Sequence, residues 1–143
     1  MPPRVRIRIV VDTNVLISWL IGRRLREIDK LLIQERYQLC FSTRALAELA
    51  EVTRRPKMRK YFTLAQAEEN IERLGRVAKV VKPEPKVLPI CRDAKDDFLL
   101  ALAKAAKADL LITGDEDLLV LKKHGGARII TPAAFLKELA TVL

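Results

Sequence analysis

The 143-residue sequence predicts an α/β domain: a three-layer α/β/α arrangement in which a largely parallel sheet carries helices on both faces. Three observations predict it. Ile9, Val10 and Val11 are consecutive β-branched residues, the pattern of a strand buried on both faces. Asp109 to Thr113, D-L-L-I-T, is a second such run late in the chain. Each expected strand is followed by helical periodicity, and strand–helix alternation calls for parallel pairing through right-handed crossovers.

In chain order, the strand beginning at Arg8 ends at Asp12, and Thr13 or Asn14 can cap the next helix with a short polar side chain. Asn14 to Ile21 is apolar nearly all round. It suits a helix against the sheet, with Trp19 or a neighbour reaching into a subunit contact and Gly22 as its stop. Arg26 to Arg36 reads as an amphipathic helix, and Tyr37 to Phe41 as a short strand. Ser42 or Thr43 caps a helix from Arg44 to Arg54, which Pro56 terminates.

Thr63 opens T-L-A-Q, a capping-box pattern, and Leu64, Ala67, Ile71 and Leu74 keep helical spacing through Gly75. Val77 to Val81 is a strand, after which three prolines in K-P-E-P-K-V-L-P impose an extended connector. Asp96 and Asp97 start an Ala/Leu-rich helix that leads into the Asp109 to Thr113 strand. Leu118 to Lys123 reads as a short helix, and Gly125 with Gly126 as a turn. Arg128 to Ile130 is the last strand, followed by a helix with Thr131 as cap and Pro132 at its first position. No stretch divides the chain, so residues 1–143 are read as one domain with one core.

Composition narrows the function classes. Lys and Arg number 27 against 18 Asp and Glu, a formal charge of +9 that favours polyanionic partners, nucleic acid first. The N-terminus lacks a signal-peptide core and no run approaches a membrane span, so the expectation is a soluble, cytoplasmic protein. Cys40 and Cys91 belong to no metal-binding pattern and read as small buried apolar residues. His124, the one histidine, sits in K-K-H-G-G and reads as a cation at a helix end. Chemistry here must rest on oxygen ligands.

Acidic residues gather where strands stop. Asp12 follows the first strand, at the rim where open α/β sheets bind ligands. Gly114, Asp115, Glu116 and Asp117 follow the Asp109 to Thr113 strand, and Asp96 and Asp97 occupy a helix start, where the dipole alone would favour them. Glu48 and Glu51 lie on adjoining turns of one helix. Glu51 has Arg55 four residues on and reads as a surface ion pair, leaving Glu48 as the site candidate. Together these suggest one anionic pocket. Carboxylates that converge repel one another unless a cation fills the site. Arg54 to Lys60 is the densest basic run, a solvated face or a phosphate contact.

Five segments, V-V-D-T-N-V-L-I-S, A-L-A-E-L-A-E-V-T-R-R-P-K, R-D-A-K-D-D-F-L-L-A-L-A, A-D-L-L-I-T-G-D-E-D-L-L and I-I-T-P-A-A-F-L-K-E-L, occur in the order in which they resemble PIN-domain proteins. The branch is that of toxin components of toxin-antitoxin systems, the VapC-like ribonucleases, and the resemblance runs from Arg6 to Leu139. It implies a five-stranded parallel sheet of order 3-2-1-4-5 and RNA cleavage dependent on Mg²⁺ or Mn²⁺. Carried over by position, it makes Asp12, Glu48, Asp96 and Asp115 the catalytic residues, and Asp12, Asp96 and Asp115 metal ligands, with Asp117 as an additional or alternative ligand. Asn14 and Thr113 would support those ligands from behind. D-A-K-D-D in place of the usual D-P-D-D leaves Asp96 in position and makes Asp93 a weaker candidate.

Arg44, Arg55, Lys57, Arg92 and Lys95 are the basic residues expected to guide an RNA strand past the metals. The implied partners are single-stranded or looped RNA, a small antitoxin protein and a second copy of the chain. Two alternatives are an RNA-processing nuclease of the same chemistry without an antitoxin, and a non-catalytic RNA-binding module. The second would be expected to have lost some of the four carboxylates, and all four are present.

Overall fold

The computed structural model describes residues 6–22, 36–82, 86–90 and 92–141. The helix expected from Arg26 to Arg36 lies, but for Arg36, outside them, as do Cys91 and part of the proline connector. The described elements are β1 (Ile7–Val11), α1 (Thr13–Ile21), β2 (Tyr37–Ser42), α2 (Thr43–Arg54), a 3₁₀ turn (Pro56–Lys60), α3 (Leu64–Val77), β3 (Lys79–Val81), α4 (Ala94–Ala105), β4 (Leu110–Ile112), α5 (Glu116–Leu119), β5 (Lys123–His124), β6 (Ala127–Ile130) and α6 (Pro132–Thr141). They form an α/β fold in which helices flank one sheet of order β3-β2-β1-β4-β6-β5.

β1 is central because its residues can be buried on either face. Ile9, Val10 and Val11 are all buried, and β1 pairs in parallel with β2 on one side and β4 on the other. Leu110, Leu111 and Ile112 of β4 are equally apolar and buried. The β1–β4 register sets Val11 opposite Ile112, so the residues that follow, Asp12 and Thr113, emerge together at the carboxyl ends. That register builds the site.

The parallel strands follow the expected order. The sheet also holds a sixth strand, β5, which pairs antiparallel with β6 at the edge. Gly125 and Gly126 adopt φ of 53° and 91° between Lys123↔Arg128 and His124↔Ala127. Two positive φ values in a two-residue loop are those of a type I′ turn, which matches the twist of a hairpin. The Gly-Gly pair therefore does more than reverse the chain. It also corrects two expectations: the helix expected to Lys123 ends at Leu119, and His124 lies half-buried in a strand rather than at a helix end. Similarly, α3 continues through Gly75 to Val77, with the Ala78 N–H closing on the Leu74 carbonyl at 2.9 Å, so β3 begins at Lys79 rather than Val77.

The caps were written in short polar side chains. Ser42 accepts from the Ala45 N–H at 3.1 Å, and Thr63 with Gln66 forms the full capping box. α1 packs more completely than its composition suggested. Trp19 is only 4% exposed and stacks on Phe135, with ring centroids 6.5 Å apart, while Tyr37 meets Phe135 edge-on at 5.5 Å. The expected excursion of Trp19 into a subunit contact is not needed, because α6 supplies its partner within one chain. Cys40 is a buried free thiol whose pKa is raised by burial, as expected of a small apolar residue. No described helix is long and apolar enough to cross a membrane.

Candidate functional site

Asp12 is both the end of β1 and the cap of α1, the place expected of Thr13 or Asn14, which both lie inside the helix. Its Oδ1 accepts from the Asn14 N–H at 3.0 Å, which satisfies one of the helix's unpaired donors. Its Oδ2 accepts from the Thr113 hydroxyl at 2.9 Å. Thr113 is fully buried, and its oxygen also accepts from the Asp115 N–H at 3.1 Å. One hydroxyl thus fixes the first carboxylate and the backbone that presents the second. Asp115 caps α5 by accepting from the Asp117 N–H at 2.9 Å.

Asp96 comes from α4. Asp93 caps that helix through the Lys95 N–H at 2.9 Å and leaves Asp96 in the first turn, where the helix dipole favours a negative charge. Asp96 is only 3% exposed, and its buried Oδ2 has no hydrogen-bond partner. Burial raises its pKa to about 6, aided by the charge of Asp115 and a side-chain hydrogen bond shared with it, then by the charges of Asp93 and Asp12. Asp97, the neighbouring candidate, accepts from the Ile90 N–H at 2.9 Å and so anchors the preceding segment. The structure thus puts on the cleft the aspartate that the family resemblance singled out, Asp96, and turns its neighbour away.

Ligand oxygens of Asp96, Asp115 and Asp117 lie within 4.8 Å of one another. Asp12, Asn14, Asp96 and Asp115 line a cleft of about 510 Å³ with Glu48 and Glu51 of α2. Arg44, Arg55 and Lys95 are also on its wall, and the Arg44 guanidinium lies 4.6 Å above the Phe98 ring. Glu51 keeps its ion pair with Arg55 at 3.4 Å yet still reaches the cleft, a place the sequence assigned to Glu48 alone.

Two expected basic residues fall elsewhere. Lys57 is exposed on the 3₁₀ turn and does not line the cleft, and Arg92, 89% exposed, pairs with Asp117 at 3.2 Å. Asp93, read as a weak candidate, lines the cleft, as does Phe98. The signal for Asp93 was its position three residues before Asp96 at a helix start, where a cap is bound to face the same rim.

A PIN-domain family model matches residues 8–117. The chain belongs to the PIN-domain family. PIN domains are generally nucleases that use divalent metals, which makes this PIN domain a hydrolase at that coarse level. It is 29% identical over 150 residues to an uncharacterized protein of Methanocaldococcus jannaschii, covering 94% of this chain and 93% of that one. Its fold is shared with a chain in the crystal structure of VapBC2 from Rickettsia felis bound to a DNA fragment from their promoter. The TM-score is 0.56 at 12% identity, over 87% of this chain and 98% of that chain.

The donor set fits the metal such nucleases use. All the clustered donors are carboxylate oxygens, the ligand type of hard divalent cations. Asp96 Oδ2, buried and without a donor, is an atom that a cation would satisfy.

Proposed function

We propose that this PIN domain is a Mg²⁺- or Mn²⁺-dependent endoribonuclease, the toxin of a type II toxin-antitoxin pair. The observation that carries this reading is the convergence of Asp96, Asp115 and Asp117 within 4.8 Å, beside a buried Asp96 oxygen that has no hydrogen-bond partner among the described residues. Asp12, Asp96 and Asp115 would hold the cation, with Asp117 completing the set once Arg92 yields it. When bound, the metal supplies charge neutralisation of the phosphate and activation of water for phosphodiester hydrolysis.

The chain's own residues supply the rest. Glu48, on the cleft wall with these aspartates, orients water or accepts its proton. Thr113 and Asn14 fix the Asp12 carboxylate. Arg44, Arg55 and Lys95 bind the phosphates that flank the scissile bond, and Lys57 extends that path along the 3₁₀ turn. An acidic centre inside a +9 chain suits a polyanion that approaches through its basic surroundings. An unpaired strand can splay into such a cleft, which favours single-stranded RNA.

The likeness to a VapBC2 chain supports an antitoxin as partner. A second copy of the chain would dock through surfaces other than Val15, Leu16, Ile17, Trp19 and Leu20 of α1, since these are buried within one chain. The test is cleavage of single-stranded RNA by the purified chain with and without Mg²⁺ or Mn²⁺, comparing wild type with Asp12→Asn. Cleavage should require the cation and fall at least about a hundredfold in the variant, the scale of losing one electrostatic stabiliser. Metal-dependent cleavage that Asp12→Asn leaves intact would remove Asp12 from the site. A short open reading frame beside the gene, whose product blocks cleavage, would distinguish a toxin from a processing nuclease.

A further inference from the structure

A second cavity of about 410 Å³ adjoins the first. The two share Asp12, Asn14 and Asp115, which therefore form the wall between them. Beyond those three their linings differ in kind. The first holds Arg44, Arg55 and Lys95; the second holds Val15, Ser18 and Trp19 of α1, facing Gly114 and Pro132, with no basic residue among the described ones. Its size lies within the roughly 300–1,000 Å³ of small-molecule sites.

α1 is apolar and buried along most of its length, and its two exposed residues are Asn14 and Ser18. They are four apart, one helical turn, so both lie on the face that lines this cavity. Gly114 points to the same use. It has no left-handed φ that would require glycine, and a Cβ added there would meet no atom within 4 Å. Its missing side chain leaves space rather than relieving the backbone.

We propose that this cavity is a nucleoside subsite, which receives the ribose and base joined to one oxygen of the scissile phosphate. The inference rests on the nuclease reading and deepens it. A substrate whose phosphate lies on the shared carboxylate wall must place one nucleotide on each side. The side with cations takes the charged backbone; the side without them takes an uncharged moiety. Val15, Trp19 and Pro132 give the sugar and base apolar contact. Asn14 and Ser18 offer hydrogen bonds to the ribose hydroxyls, the groups that distinguish RNA from DNA.

The test uses the purified full chain, Mn²⁺ and a fluorophore-labelled single-stranded oligouridylate, with Gly114→Val and Ser18→Ala beside wild type. Gly114→Val fills the cavity and should raise KM about tenfold or more with kcat little changed, while the Mn²⁺-induced rise in melting temperature stays at the wild-type value. Ser18→Ala should raise KM about two- to tenfold, the fold-change equivalent of one neutral hydrogen bond. Wild-type KM in both variants, or a loss confined to kcat, would overturn the subsite and leave the nuclease standing. Should Gly114→Val lose the Mn²⁺ response, Ser18→Ala decides, and an unchanged KM there overturns the proposal. A wild type that cleaves no RNA with either cation would take down the nuclease reading and the subsite with it.

Discussion

Asp12 and Asp96 are both buried aspartates on the same cleft, and they are held in opposite ways. Asp12 ends a central strand and has a donor for each oxygen, the Asn14 N–H and the Thr113 hydroxyl. Asp96 sits in the first turn of α4 with Oδ2 unpartnered and its pKa raised to about 6. The contrast separates two roles that one residue type can play. Asp12 is built into the fold, and groups of the protein itself fix both of its oxygens. Asp96 carries an electrostatic cost in the native state that only a proton or a cation removes.

The largest effect should come from removing that cost. For an acid whose native pKa lies above its unfolded value of 3.8, the native state holds the extra proton between the two values. Stability therefore falls as pH rises from about 4 to about 6, and above that the full penalty remains, worth at most about 3 kcal/mol at 1.36 kcal/mol per unit. Asp96→Asn keeps the shape and deletes the charge. Urea unfolding in a chelator should show the variant more stable than wild type at pH 7.5, with the difference shrinking toward pH 4. A variant less stable than wild type at pH 7.5 would show that Asp96 is satisfied by the fold after all.

Thr113→Val probes the other half of the comparison. It preserves volume, removes the donor to Asp12 and deletes the acceptor of the Asp115 N–H, leaving a buried carboxylate oxygen and a half-buried N–H unpaired. The expected destabilisation is about 1–3 kcal/mol, with RNA cleavage reduced roughly 10- to 100-fold, the range for groups that orient metal ligands. Unchanged cleavage would mean that Asp12 holds its place without the hydroxyl. Arg92→Ala should do least. Its ion pair with Asp117 is exposed, so the melting curve should move by less than about 1 kcal/mol.

Much of this contrast was legible in the chain, for physical reasons. Ile9–Val11 and Leu110–Ile112 announce buried parallel strands because burial on both faces leaves no room for alternation. The strand ends then locate Asp12 and Asp115. Ser42 and Thr63 announced their helices by chemistry that acts within three residues. What stayed hidden depends on contacts between distant segments. Thr113 bonds to Asp12 across 101 residues, a tie that the family resemblance implied and no local pattern shows, and Trp19 finds its cover in Phe135. The residues alone do not tell Asp96 from Asp97, since they differ only in which neighbour each meets, the cleft or the Ile90 N–H; the resemblance chose Asp96. β5 is two residues long, too short for any periodic signal, and shows itself only through the Gly125–Gly126 turn.

In the proposed cation site, Asp96 and Asp115 with Asp12 on the same cleft, Asp96 gains most from the ion. Thermal unfolding of wild type and Asp96→Asn at pH 7.5, in Mn²⁺ or Mg²⁺ and in a chelator at matched ionic strength, tests it most directly. A cation that binds only the folded chain at ten times its Kd stabilises it by about 1.4 kcal/mol. The wild type should melt roughly 2–4 °C higher with metal, on the scale of a domain near this size, and the variant should show little or no shift. A wild type whose melting temperature ignores both ions, or a variant that responds as the wild type does, would mean that these carboxylates do not hold a cation through Asp96.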